Sequence, residues 1–204
     1  MKITWYGHSC FKVETKDGSV VFDPYAPGKV PGLEMPAITA DAVICSHGHG
    51  DHNYAEGVTL TGNRPGFSVK QISCFHDGNK GALRGENLIT AVDAEGMRAV
   101  HLGDLGHPLS AEQIRELGTV DVLFIPVGGY YTIDAQVAAM IVSALTPHVT
   151  IPMHYRGEGF GYDVISPVDA FLRLSVNVQR FDTNEIEITP DTPAMTALLK
   201  CPVK

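Results

Sequence analysis

Three histidines and an aspartate crowd into the run Ser46-His47-Gly48-His49-Gly50-Asp51-His52, directly after the apolar stretch Ala42-Val43-Ile44-Cys45. Neutral imidazole and carboxylate together suit zinc, manganese or iron. A strand that rises into a glycine-loosened loop lets ligands one and three residues apart turn toward a common point, which neither a regular strand nor a helix does. His47, His49, Asp51 and His52 exceed the needs of one tetrahedral ion once ligands from elsewhere join them. The spacing therefore predicts room for two divalent metal ions.

Four further positions share a local signature, an apolar strand that ends on a His or an Asp. They are Ile72-Ser73-Cys74-Phe75-His76-Asp77-Gly78, Ala99-Val100-His101-Leu102-Gly103-Asp104, Val149-Thr150-Ile151-Pro152-Met153-His154-Tyr155 and Ile3-Thr4-Trp5-Tyr6-Gly7-His8-Ser9. Strand ends gathered at one edge of a sheet are where ligands from distant parts of a chain can converge.

On these residues the chain resembles the metallo-β-lactamase fold superfamily of metallohydrolases, whose HxHxDH motif stands here as His47-Gly48-His49-Gly50-Asp51-His52. His76 matches the family's isolated third histidine, Asp104 its metal-bridging aspartate and His154 its last histidine. The resemblance implies one metal held by His47, His49 and His76, a second by Asp51, His52 and His154, and Asp104 between them. It implies two divalent ions, zinc first, with manganese or iron as alternatives. Gly7-His8-Ser9, Pro126-Val127-Gly128-Gly129 followed by Thr132, and Met153-His154-Tyr155 look like the branch related to L-ascorbate-6-phosphate lactonase. Diiron oxidoreductases of the superfamily typically have Glu where His49 stands, so this motif favours hydrolysis over redox chemistry.

The expected enzyme is a metal-dependent hydrolase that uses a metal-bound hydroxide, because coordination lowers the pKa of water to about 7. Asp51 orients that hydroxide and accepts its proton besides binding metal. His8, after a turn glycine, is the second candidate catalytic residue: it contacts a substrate oxygen, assists proton transfer or braces a metal ligand. A small anionic substrate is expected, a lactone or other carboxylic ester first and a phosphodiester second. A nuclease, or a metal-dependent sensing or binding protein without turnover, is the alternative. Gly128-Gly129-Tyr130-Tyr131-Thr132 reads equally as an anion-contacting helix entry and as a plain turn. Arg156 and Lys80 are candidate anion contacts against the commoner reading as solvated side chains. His101, His107 and His148 read as structural, with His107 near enough to Asp104 in sequence to support the site.

The elements that must position these groups follow from period and punctuation. Strands are expected over Lys2–Trp5, Cys10–Thr15, Ser19–Phe22, Ala42–Cys45, Ser68–Phe75, Asn87–Asp93 and Arg98–Leu102, with hairpin turns at Asp17-Gly18 and Glu95-Gly96. Pro24 to Pro36 reads as a surface loop that borders the site. Helical spacing appears over Ser110–Leu117, Asp134–Leu145 and Ser166–Leu174, with Ser110 and Asp134 as caps and Pro167 at a first helical position. Strands recur at Val122–Val127, Val149–Met153, Val178–Phe181 and Glu185–Thr189. The pattern supports mixed α and β; the resemblance sharpens it to a four-layer αβ/βα sandwich with the metals at one edge between two sheets.

The 204 residues, 44% of them hydrophobic, suit one domain over 1–204 with a full core. A formal charge of -8 disfavours nucleic acid and leaves a small molecule as the expected partner, with a homo-oligomer left open. No apolar run reaches the roughly 18 residues of a membrane span, and the first residues lead straight into strand-like sequence, so a cytoplasmic protein is expected. Cys10, Cys45, Cys74 and Cys201 show no CxxC spacing and read as structural thiols.

Overall fold

The computed structural model describes residues 1–203. Its first sheet grows from the N-terminal hairpins. β1 (Lys2–Gly7) pairs antiparallel with β2 (Cys10–Thr15), and β2 with β3 (Gly18–Phe22); β3 then pairs in parallel with β5 (Ala42–Ile44). The short β13 (Glu185–Glu187) returns from the other end of the chain onto β1. The second sheet has seven strands in the order β12 (Val178–Arg180), β14 (Met195–Leu198), β11 (Val149–Met153), β10 (Val122–Pro126), β9 (Met97–His101), β8 (Glu86–Ala94) and β7 (Ser68–Phe75). A two-stranded ladder joins β4 (Ile38–Ala40) to β6 (Val58–Leu60).

Every residue of β10 and β11 is buried, as expected of central parallel strands covered on both faces. The two large sheets meet through aromatic contacts. Phe11 of β2 lies 4.4 Å, ring centre to ring centre, from Phe124 of β10, and Phe22 of β3 stacks on His101 of β9 at 5.0 Å. On the other face lie the crossovers α1 (Ala111–Leu117), between β9 and β10, and α2 (Ala135–Leu145), between β10 and β11; the right-handed rule for parallel crossovers puts both on one side. Ser110 caps α1 through a reciprocal pair of hydrogen bonds with Gln113, and the Asp134 carboxylate accepts from the Gln136 and Val137 N–H groups to start α2. Ala138, Ile141 and Leu145 form the buried stripe of α2.

The strand expectations hold with small shifts, and the Glu95-Gly96 turn is found. Register pairs Ala94 with Met97, and both loop residues have positive φ, 55° and 76°, as a two-residue hairpin requires. Three strands were not foreseen, β4, β6 and β14; each has only three or four residues, too few for a visible period. The helix expected over Ser166–Leu174 shrinks to α3 (Asp169–Leu172). Tertiary hydrogen bonds hold its expected first turn extended: Ser166 N–H donates to Gly128 O, and Arg156 N–H to Ser166 O. Before Ala111 the described residues contain a 3-10 turn at Ala55–Gly57 and no α-helix, so the helical layers are thin. No helix among them is long and apolar enough to cross a membrane.

Direction matters most for the site. Because β1 and β3 each run antiparallel to β2, and β5 runs with β3, β1 and β5 point the same way. By the same logic β7, β9, β10 and β11 share one direction. The carboxyl ends of five strands therefore deliver the chemistry-bearing residues: β1 leads to His8, β5 to the His47–His52 loop, β7 to His76, β9 to Asp104 and β11 to His154.

Candidate metal centre

His8 and His154 both leave their strands in the left-handed region, with φ of 51° and 52°. Such backbone is costly for non-glycine residues and persists where surrounding contacts fix it. Here the fixing contact joins the sheets: His154 N–H donates to the His8 carbonyl at 3.4 Å, and the Trp5 indole donates to the same oxygen at 3.0 Å. The two rings lie 4.1 Å apart.

Around this junction three donor groups form among the described residues, and two of them flank Asp104, the third being Asp23 with His47 and His52. The first contains His47, His49 and His76; the second contains Asp51, His52 and His154, with His8 beside them. Within each set the donor atoms lie within 4.8 Å of one another. Asp104 stands between the sets, its Oδ2 3.2 Å from Nε2 of His52, His76 and His154 and 4.0 Å from Nε2 of His47. All seven expected ligand residues are thus brought together, and so is His8.

Several of their buried atoms make no hydrogen bond: Nε2 of His47 and His52, both ring nitrogens of His8 and His154, Nδ1 of His76 and Oδ1 of Asp104. Orphaned buried polar atoms are expensive, and so many gathered in one region, with one donor atom from each residue close to the others of its set, fit a cation better than a packed core. The donor chemistry, imidazole with carboxylate, fits a divalent metal. Burial would raise the Asp104 carboxyl, but the neighbouring His154 and His52 rings hold it well below the usual carboxylate range. Burial pushes His47 down to about 3 and His8 down to about 4, favouring neutral rings. His52 goes the other way: against the burial that would lower it, Asp104 and Asp23 raise it well above the ordinary imidazole range. A divalent cation held at its Nε2 would take the place of that proton.

The supporting groups were not foreseen. Asp23, at the end of β3, accepts from Ser46 N–H at 2.7 Å and from Ser46 Oγ at 2.6 Å, and lies 2.8 Å from His52 Nδ1. The signature of an apolar strand ending on Asp, Val20-Val21-Phe22-Asp23, would have found it. Asn87 accepts from Asp104 N–H at 2.9 Å and donates to Leu102 O, so it sets the turn that presents Asp104. The Tyr162 hydroxyl shares its one proton between Asp51 Oδ2 at 3.0 Å and the Lys29 carbonyl at 2.7 Å. That second bond, with Ala26 N–H to Gly50 O, ties the loop over Pro24 to Pro36 to the rim of the site.

A cavity of about 280 Å³ opens onto the centre, lined by His49, Asp51, His76, Arg84, Asp104, Tyr131, His154 and Tyr162. Neither Lys80 nor Arg156 is among these. Lys80 is exposed and Arg156 Nε donates to Ile165 O at 2.8 Å. Gly128 is explained by packing, since a Cβ there would lie 2.2 Å from His154 O. His101 donates through Nε2 to Ser9 O and accepts from Gly103 N–H, and His107 Nε2 accepts from Phe75 N–H; both are structural.

A family model for the beta-lactamase superfamily domain matches residues 2–154. The chain belongs to the metallo-beta-lactamase superfamily. Within it, this member is 30% identical over 192 residues to a UPF0173 metal-dependent hydrolase of Carboxydothermus hydrogenoformans, covering 76% of this chain and 85% of that one. It is 28% identical to another from Methanocaldococcus jannaschii, over 81% and 96% of the two chains. Its fold superposes on a crystal structure from Thermotoga maritima, a candidate Zn-dependent hydrolase of the same superfamily, with a TM-score of 0.77 and 34% identity over 97% of both chains. The superfamily chain thus stands with the UPF0173 metal-dependent hydrolases. These likenesses support that assignment and not the lactonase-like branch.

Proposed function

We propose that this superfamily member is a dinuclear metal-dependent hydrolase of a small anionic substrate, with lactones and other carboxylic esters ahead of phosphodiesters. The observation that carries the reading is the pair of donor sets flanking Asp104, each compact enough for one ion. His47, His49 and His76 would hold one ion, Asp51, His52 and His154 the other, and Asp104 both; zinc suits these ligands best, with manganese or iron as alternatives. Bound, the ions supply a water acidified to near neutral pKa and a Lewis acid for the oxygen under attack.

The chain's own residues do the rest. No Ser, Thr or Cys lines the cavity, which supports solvent as the nucleophile of this reading. The thiols are unsuited to attack in any case, since burial pushes Cys45 and Cys201 up to about 12 and Cys74 up to about 11. Ser46 is committed to Asp23. Asp51 is the proton acceptor: it is aimed by the Tyr162 hydroxyl, and His8 Nε2 lies 3.5 Å from its Oδ2, ready to take a proton onward.

The test is metal content of protein purified without added metal or chelator, with a panel of lactones, esters and phosphodiesters assayed before and after chelation. About two ions per chain, with activity that disappears and returns on reloading, supports the reading. Ions that bind only the folded chain also raise its Tm, so chelation should lower it. Less than one ion per chain after reconstitution removes the dinuclear reading.

A further inference from the structure

Arg84 is the one Lys or Arg among the side chains lining the metal-facing cavity, and sequence reasoning passed over it. It is half-buried. Among the described residues no carboxylate pairs with its guanidinium; its side-chain contact is with the Tyr131 ring, whose centre lies 5.6 Å away. Tyr131 in turn stands edge-on to Tyr162 at 5.7 Å and to His154 at 6.5 Å. A guanidinium over an aromatic face keeps its in-plane N–H groups for an oxyanion.

The backbone that carries Arg84 is organised for the purpose. Asp77, buried immediately after His76, accepts four backbone N–H groups: Asn79 and Gly81 on Oδ1 at 2.7 and 3.0 Å, Leu83 and Arg84 on Oδ2 at 3.0 and 2.8 Å. His76 N–H closes the loop by donating to Gly85 O. One carboxylate thus locks the loop that starts at a donor residue of the centre and ends at the free cation facing it. In a chain of net charge -8, a cation held in the cavity without a carboxylate partner points to a ligand that brings the charge.

We infer that Arg84, seated on Tyr131 and positioned by the Asp77-locked loop, binds an anionic group of the substrate, a carboxylate or a phosphate, at a distance from the bond that is cleaved. The inference rests on the hydrolase reading for the word substrate, while anion binding itself does not depend on turnover.

The test compares wild type with Arg84→Gln and Arg84→Lys, using two esters with one leaving group: neutral 4-nitrophenyl acetate and the monoanionic 4-nitrophenyl half-ester of succinate. Calorimetric titration with succinate and with inorganic phosphate, on the metal-loaded protein, runs beside the kinetics. Arg84→Gln should cut the charged-over-neutral ratio of kcat/KM by about tenfold or more, mainly through KM, and weaken the preferred anion by a similar factor; Arg84→Lys should recover part of both. Asp77→Asn should act in the same direction, because an amide nitrogen cannot accept from Leu83 and Arg84. Whichever of succinate and phosphate loses more affinity in Arg84→Gln identifies the anion, since either can also bind the metals directly. An unchanged ratio and unchanged anion affinity in folded Arg84→Gln overturns the inference while leaving the hydrolase standing, as does failure of the wild type to bind either anion. Arg84-dependent anion binding without hydrolysis of either ester would instead count against the carboxylic-ester reading and keep the anion site.

Discussion

Asp23 Oδ2 lies 2.8 Å from Nδ1 of His52, behind the ring and away from Asp104, so one carboxylate decides which nitrogen of His52 faces the candidate metal centre. With Asp23 ionised, the ring proton sits on Nδ1 and leaves the Nε2 lone pair for a cation. Burial would raise Asp23, but His101 and His52 hold its carboxyl below its ordinary value. Asp23→Asn should lower metal affinity about 10- to 100-fold, since an amide donor facing Nδ1 shifts the proton to Nε2. Competition with a chromophoric chelator measures this, and unchanged affinity would show that the orientation of His52 is set elsewhere.

His8→Gln separates two roles that the geometry brings close together. Its ring is buried, 3.5 Å from Asp51, with neither nitrogen hydrogen-bonded. Proton handling predicts that metal content per chain is kept while kcat falls by about a hundredfold. Loss of one ion per chain would make His8 a ligand of the second donor set instead.

Gly103→Ala should damage stability and the site together. Gly103 has φ of 56°, and a Cβ there would lie 2.4 Å from Asn87 Oδ1 and 2.5 Å from Ser46 Cβ. The backbone strain alone costs about 1–3 kcal/mol, and the clash pushes on the Asn87 oxygen that holds Asp104 N–H. Urea unfolding should show a lower midpoint with the slope unchanged, alongside weaker metal binding; a wild-type midpoint would contradict the account.

Asp41 offers a pH signature remote from the metal centre. Its carboxylate accepts from Thr61 Oγ1, Ser19 Oγ, Ser19 N–H and Asn63 Nδ2, and the Thr61 and Ser19 bonds lower its pKa to about 2. A pKa depressed by folding contributes stability above the unfolded value, about 3.9, and that contribution is lost as pH falls toward 2. Asp41→Asn should therefore lower the urea midpoint at pH 6 and differ less from wild type at pH 3. A constant difference across that range would assign the effect to shape and not to charge.

Phe124 joins the sheets through Phe11 and Phe22 and is fully buried. Phe124→Ala should cost about 3–5 kcal/mol in unfolding measurements, with metal affinity falling as well because the two sheets carry different ligands. Loss of stability with full metal affinity would mean that the strand ends hold their spacing without the core.

Residue types and local spacing were enough to point to the donor cluster. The HxHxDH run, the strand ends at His76, Asp104 and His154, the Ser110 and Asp134 caps and the Glu95-Gly96 turn are all short-range signals, because ligand chemistry, capping and turn geometry are written within a few residues. The assembly of those signals was decided by tertiary structure. Strand direction and the His154 to His8 hydrogen bond bring five strand ends to one edge, and the junction puts His8 among the donors of the second set. Asn87, Tyr162 and Arg84 act through partners 17 to 111 residues away, or across the cavity, so no local pattern marks their roles; Asp23 carries the local strand-end signature, but its partner His52 lies 29 residues on. The expected helix over Ser166–Leu174 failed for the same reason: Pro167 carries a favourable local signal for a first turn, but hydrogen bonds from Ser166 to Gly128 and from Arg156 to Ser166 outweigh it. Local sequence sets which groups can act; long-range pairing sets which of them meet.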